Sequence, residues 1–422
     1  TPTADCGTVT LGDSGDTVTI PSGATLDVQG TASGIEGIVS WDTTPKTSAF
    51  TAVAGNGYFV DTSSAAITVT LPASPSAGDL VGIKDYKLTA DTNNITIARN
   101  GSNIQGTAND FLIDTEGRSV TLIYVDSTQG WLITGASQAS DITEGPVYIT
   151  ATGGTVTTCG DYKIHTFTGP GTFTVCSVGN AQGSNTVDYM VIAGGAGGNQ
   201  DSGNVNGGGG GGAGGYRESS GAASGCYSAS PLGACVSALP VSAQGYPVTV
   251  GAGGTSTSSI QPNTPSSSGQ GNNSIFSTIT SSGGGVGGFY SNAAGANGGS
   301  GGGGGATGGS GGSGNTPPVS PPQGSPGSPG TGPGPGAGGG AGGSAPGSTG
   351  GPGTPSSING TATTRAGGGG GGKPGNSGGP GGGGGYRTSG TANTGSGGGG
   401  SNSSGTTGAG GSGIVIIRYK FQ

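Results

Sequence analysis

Polar and apolar positions alternate in short runs at the start of the chain. Thr8-Val9-Thr10-Leu11, Thr17-Val18-Thr19-Ile20 and Thr25-Leu26-Asp27-Val28 recur about every eight or nine residues, with Gly, Asp, Ser and Pro between them. A period of two marks half-buried strands. Residues 1–40 therefore read as a β-rung segment with little apolar surface of its own. Solenoid winding, trimerisation or addition to a neighbour's sheet edge would each supply that surface. Stronger strand signals follow at 57–60, 66–71, 80–85, 94–98, 120–125 and 131–134, separated by turns at Pro72-Ala73-Ser74-Pro75, Asn100-Gly101 and 127–130. With little helical periodicity, residues 41–140 predict a compact β-sandwich, cored by Trp41, Phe50, Phe59, Phe111 and Trp131.

Further strands are predicted at 147–150, 162–167, 172–176 and 187–192, the Gly169-Pro170-Gly171 turn joining the middle two as a hairpin. Beyond Ile192 the chain changes character: 81 of its 105 glycines lie there, interrupted by short strand signals at 247–250 and 274–280. Such a composition offers little apolar surface against chain entropy, which is the usual recipe for disorder. The last residues oppose that outcome. Ile414-Val415-Ile416-Ile417-Arg418-Tyr419-Lys420-Phe421 has the apolar density of a buried strand and needs a partner. Polyglycine has an ordered, extended form with three residues per turn and about 3.1 Å rise. Such helices can pack side by side through N–H···O=C bonds, with Cα–H···O contacts as a smaller addition. Glycine's entropic penalty of roughly 0.5–1 kcal/mol relative to Ala requires that this order be held at both ends, by the flanking strands. The Pro-rich stretch 317–355 fits the same geometry. Gly324, Gly327 and Gly330 keep a Gly-X-Y period, which Gly332, Gly334 and Gly336 break, so collagen is excluded. The expected fold is all-β, with tandem β-sandwich-like domains. Residues 1–40 form an assembly arm, 41–140 a sandwich, and 141–422 a β-scaffold enclosing polyglycine II-type helices.

Composition narrows the function. Apolar residues make up 29% and charged residues 8%, too few for one large conventional core. The net charge of −8 is uneven: 6 basic and 18 acidic residues precede Ala193, against 6 basic and 2 acidic from there on. That asymmetry favours weak, screened head-to-tail association. The absence of a Lys/Arg cluster argues against nucleic-acid binding, and no apolar run approaches the ~20 residues of a membrane-spanning helix. Catalytic and cofactor chemistry is poorly provided for. His165 is the sole histidine and lies in a predicted strand, where its expected role is structural. The cysteines lack metal-binding spacing, and Asp13 and Asp16 sit in no recognised calcium loop. Lys373 follows six glycines but precedes Pro374, so the phosphate-loop pattern fails, and Gly308-Gly309-Ser310-Gly311-Gly312 lacks a strand–turn–helix context. No enzyme activity, cofactor or metal is expected. Cys159 with Cys176, and Cys226 with Cys235, are spaced for local disulfides worth about 2–4 kcal/mol each, leaving Cys6 for an intermolecular bond. Five reduced, buried thiols are the alternative. Glycosylation sequons stand at Asn94, Asn100, Asn272, Asn359 and Asn402.

Two sets of residues carry a family resemblance. Trp41-Asp42-Thr43-Thr44-Pro45-Lys46-Thr47, Gly55-Asn56-Gly57-Tyr58-Phe59-Val60-Asp61-Thr62 and Val69-Thr70-Leu71-Pro72 resemble tail-fibre proteins of aquatic bacteriophages. Asp188-Tyr189-Met190-Val191-Ile192-Ala193-Gly194-Gly195 and Ser412-Gly413-Ile414-Val415-Ile416-Ile417-Arg418-Tyr419 are similar to the start and finish of the glycine-rich domain of such fibres and of environmental surface proteins. The paired cysteines and the lack of a virion-attachment segment depart from the phage pattern. The first expectation is thus a non-enzymatic, self-assembling extracellular filament subunit that joins copies of itself by strand addition through residues 1–30. The alternative is a receptor-binding fibre adhesin contacting host glycans or an outer-membrane protein, with Tyr216, Tyr227, Phe289, Tyr290 and Tyr386 as contact aromatics.

Overall fold

The early strands join two sheets in turn, the chain crossing from one to the other at each connection. The computed structural model describes residues 39–135, 143–200, 206–225, 227–256, 269–289, 292–402 and 405–422, so the N-terminal rungs, Cys6, Asp13, Asp16, Cys226 and Tyr290 lie outside the described residues. Two units are distinguished, Thr1–Gly145 and Pro146–Gln422. In the first, β1 (Ser40–Lys46), β2 (Phe50–Thr51), β3 (Asn56–Val60), β4 (Ile67–Thr70), β5 (Leu80–Asp85) and β6 (Ile95–Ala98) switch sheet at every step. Consequently β1, β3 and β5 pair in parallel, as do β2, β4 and β6. Antiparallel neighbours β7 (Phe111–Ile113), β8 (Ser119–Asp126), β9 (Gly130–Ile133) and β10 (Thr143–Glu144) complete the orders β1-β3-β5-β8-β9 and β10-β7-β6-β4-β2. Val60, Val69, Ile83, Ile97, Phe111, Leu122 and Trp131, drawn from both sheets, form one core. Phe50 packs at its margin. Trp41 and Phe59 do not join it. On β3 the core takes Tyr58 and Val60, so Gly57 and Phe59 face the other way, and Trp41 pairs with Gly57.

The second unit begins with β11 (Thr150–Thr152), β12 (Thr155–Cys159), β13 (Tyr162–Phe167), β14 (Gly171–Ser177) and β15 (Thr186–Ile192). It continues through β16 (Tyr216–Glu218), β17 (Leu239–Pro240), β18 (Gly245–Thr249), β19 (Ser274–Phe276), β20 (Ile279–Ser281), β21 (Thr354–Ser356) and β22 (Thr363–Arg365) to β23 (Ile414–Lys420). One sheet has the order β11-β14-β18-β19-β20, the other β12-β13-β23-β15-β16, with β17 beside β15. The expected hairpin between β13 and β14 is absent: Gly169-Pro170-Gly171 carries the chain from one sheet to the other. For the same reason Cys159 and Cys176 sit on different sheets, and both are exposed free thiols rather than a disulfide.

The closing strand β23 lies centrally, hydrogen-bonded antiparallel to β13 and β15. Val415, Ile417 and Tyr419 enter a core shared with Phe173, Val248 and Phe276 of the neighbouring sheet. Ile414 and Ile416 enter another with Ala213, Ala341, Ile358 and Ala366 of the glycine-rich segments. Its solid apolar run follows from this burial on both faces.

The glycine-rich segments are held by backbone bonds whose partners recur at every third residue. Gly195 and Gly198 donate to Gly411 and Gly408, Ala196 and Asn199 to Gly212 and Gly209, and Gly194 and Gly197 to Asn272 and Gly269. One segment thus binds three neighbours in rotation. The next repeats the scheme, with Gly209, Gly212 and Gly215 donating to Gly288, Gly285 and Ser282, and Gly208, Gly211 and Gly214 to Ser401, Gly398 and Gly395. The Ser-Pro-Gly triplets obey the same spacing. Ser325 and Ser328 donate to Gly340 and Ala337, and Gly327 and Gly330 to Gly312 and Gly309. Pro326 and Pro329 fall at the third position, where their missing N–H leaves no bond unmade.

Candidate functional site

The buried ionisable groups described in the second unit serve packing. His165 is buried; its Nδ1–H donates to the Gly153 carbonyl at 2.7 Å, and its Nε2 accepts from the Tyr419 hydroxyl at 3.1 Å. Burial lowers its pKa. Asp188 accepts from the Ser219 hydroxyl at 2.7 Å and from the amide and hydroxyl of Ser224 at 2.7 and 2.6 Å. Glu218, its pKa raised by burial, accepts from Tyr216 at 3.0 Å, the Ser230 amide at 2.9 Å and the Ser356 hydroxyl at 2.5 Å. Arg418, also buried, lies 4.4 Å from the ring centroid of Tyr162 and 5.2 Å from that of Tyr227, and donates to the Ile358 carbonyl at 3.3 Å. These bonds fasten Ser219, Ser224, Ser230, Ser356 and Ile358 onto the sheet containing β23. Among the described residues no three His, Cys, Asp or Glu side chains gather as a metal site. An open groove of about 400 Å³ is lined by small residues, including Thr186, Ser220, Ala223 and Cys235, whose thiol is free and exposed.

Sheet edges offer a more distinctive feature. β12 ends its sheet, pairs only with β13 through five register positions, and exposes all five of its residues, Thr-Val-Thr-Thr-Cys. Val156 is 46% exposed. Edge strands normally deter pairing with charge, proline or brevity. β1 carries Asp42, Pro45 and Lys46, β9 has four residues of which Gly130 and Trp131 are buried and Trp131 bridges to Ile104, and β2, β10, β11, β16 and β20 have two or three residues each. β12 has none of these deterrents. Its β-branched residues favour further pairing, and its Cys159 thiol stands at the strand's end.

The aromatic residues expected to contact a receptor separate into different environments. Tyr216 is buried, bonded to Glu218, and its hydroxyl pKa is pushed well above the ordinary value by burial; it cannot meet a receptor. Tyr227 is half-buried against Arg418, and Phe289 is half-buried. Tyr386 is half-buried, donates to Asn402 Oδ1 and lies under the exposed Arg387, whose guanidinium is 4.9 Å from its ring centroid. Among the described residues, Tyr216 belongs to a core cluster against which Tyr227 packs, rather than to a surface. Of the sequons, Asn100 and Asn272 are exposed, and Asn94, Asn359 and Asn402 half-buried. Asn100 already donates through Nδ2 to the Leu71 carbonyl at 2.8 Å.

A model of the glycine-rich domain family matches residues 166–420, from the end of β13 to the end of β23. No curated protein sequence matches the chain.

Proposed function

The chain belongs to the glycine-rich domain family, and on that premise we propose that it is a non-enzymatic structural subunit of an extracellular filament. Copies join by strand addition: the Thr-rich residues 1–30 of one copy complete the sheet edge at β12 of the next. The observation that carries this is β12 itself, a five-residue edge strand without charge or proline. Charge supports the pairing, since residues 1–38 hold five acidic and no basic residues, whereas 146–422 hold seven basic and four acidic. Cys6 leads the arriving segment and Cys159 ends the receiving strand. Exchange with an external disulfide would join them, releasing two small thiols.

The glycine-rich segments are the material of this subunit. Donation to three neighbours in rotation is the pattern of side-by-side polyglycine II-type helices; each pair of sheets with a shared core is read as a sandwich, and that of the second unit holds them. Deleting residues 1–30 is the direct test. Folded monomers in sedimentation and no fibres under the electron microscope are expected; fibres of normal length would overturn strand addition.

A second reading, the receptor-binding fibre adhesin, draws on the phage-fibre resemblance and on the exposed Arg387 beside Tyr386. It requires that alanine at Tyr227, Phe289, Tyr290 and Tyr386 abolish attachment to host cells.

A further inference from the structure

Trp41 and Trp131 have opposite surroundings. Trp131 is completely buried, whereas Trp41 is 41% exposed on the outer face of the β1-β3-β5-β8-β9 sheet. Glycines seat it there. Trp41 pairs with Gly57, which pairs with Gly82 on β5. A Cβ at Gly57 would come within 2.7 Å of Trp41 Cδ2 and Cε3 and of Val39 Cγ1, and one at Gly82 within 3.1 Å of Val39 Cγ1 and 3.3 Å of Trp41 Cη2. The benzo ring therefore spans two strands over bare backbone, and any side chain at either position would lift it. Phe59 continues the surface, its centroid 5.0 Å from that of Trp41 with the planes inclined by 36°. Tyr86, 45% exposed, stands edge-on to Phe59 at 6.2 Å. Hydrogen-bonding groups flank this row: in register Lys84 lies opposite Phe59, Thr121 opposite Gly82 and Ser119 opposite Lys84.

We propose that this row is a binding platform for an uncharged glycan. A pyranose ring has a face of C–H bonds and a rim of hydroxyls. The C–H face is attracted to the negative face of an aromatic ring, and the hydroxyls suit the neighbouring Ser, Thr and Lys groups. Charge selects the neutral class. Lys46 pairs with Asp42 at 2.8 Å and Arg118 with Asp114 at 3.9 Å; Lys87, 5.0 Å from the Tyr86 ring centroid, lies in the field of Asp61, and Lys84 donates to the Gly117 carbonyl, so the surrounding charges are largely balanced. Residues 39–145 hold eleven acidic against five basic residues, which repels anionic polymers. The site does not depend on filament assembly, and deletion of residues 1–30 is expected to preserve it.

Titration of the full chain with cellohexaose, mannohexaose and chitohexaose, read by acrylamide quenching of tryptophan emission, tests the proposal. Buried Trp131 supplies a constant background. At least one of the three sugars is expected to shield Trp41. Tyr86→Ala should weaken that sugar's binding about tenfold, a loss typical of one stacked ring, while leaving the urea midpoint unchanged. Trp41→Ala should abolish the fluorescence response. Shielding by none of the three, wild-type affinity in Tyr86→Ala, or shielding that grows with protein concentration without sugar would overturn it, the last assigning the face to contact between copies.

Discussion

A single added methyl group distinguishes the glycines that are required from those that are merely present. A Cβ at Gly195 would run into the Ser396 carbonyl, and backbone on both sides leaves no room to yield. Gly169 has nothing within 4 Å and no left-handed φ. Gly195→Ala is therefore expected to destabilise the second unit by about 1–3 kcal/mol, and Gly169→Ala to stay within about 0.5 kcal/mol of wild type, as measured by urea unfolding. Titration separates two buried groups by sign. His165 has a pKa lowered by burial from its ordinary 6.5, so the unfolded chain takes up the proton first on acidification. Its contribution is whole above pH 6.5 and falls as the pH drops toward the folded value; His165→Gln should lose that slope in urea midpoints between pH 7.5 and 5. Glu218 runs oppositely. Its raised pKa makes its contribution whole below the ordinary 4.5 and diminished as pH rises through the folded value, a slope that Glu218→Gln should remove. Residue identity was enough to place His165 in a strand. It misplaced Trp41, because an aromatic residue reads as core unless the glycines that seat it on the outer face are recognised as its partners.

At the scale of the element, β23 and β12 are opposites. Four consecutive apolar residues announced β23 as a buried strand, and its burial on both faces accounts for all four. Ile416→Ala and Ile417→Ala remove side chains from different cores, and each should cost about 2–5 kcal/mol in unfolding experiments. On β12, Val156→Lys should leave stability within about 0.5 kcal/mol, yet shorten or abolish filaments by placing an unpaired charge on the proposed docking edge. The β13–β14 hairpin failed as an expectation for a general reason. Two alternating runs around Gly-Pro-Gly specify two strands and a reversal, but not whether the chain returns to the same sheet. Only the position of β23, some 250 residues later and hydrogen-bonded to β13, assigns that neighbour.

Across the whole molecule, the charge asymmetry implies that the proposed assembly slows as salt is raised, most steeply below about 0.15 M where the Debye length exceeds ~8 Å; light scattering across a salt series would record it. The sequence by itself determined that the chain is all-β, that glycine dominates the half after Ile192, and that a buried strand closes it. These properties are written in local composition and in the period of apolar positions, which need no knowledge of neighbours. Tertiary structure decided which strand pairs with which, that Cys159 and Cys176 stand apart, that Trp41 lies outside the core, and which three segments each glycine run touches. Glycine carries no side chain by which one segment could recognise another. Its neighbours are chosen by the lengths of the intervening loops and by the strands that fasten each end, and those constraints exist only once the chain is folded.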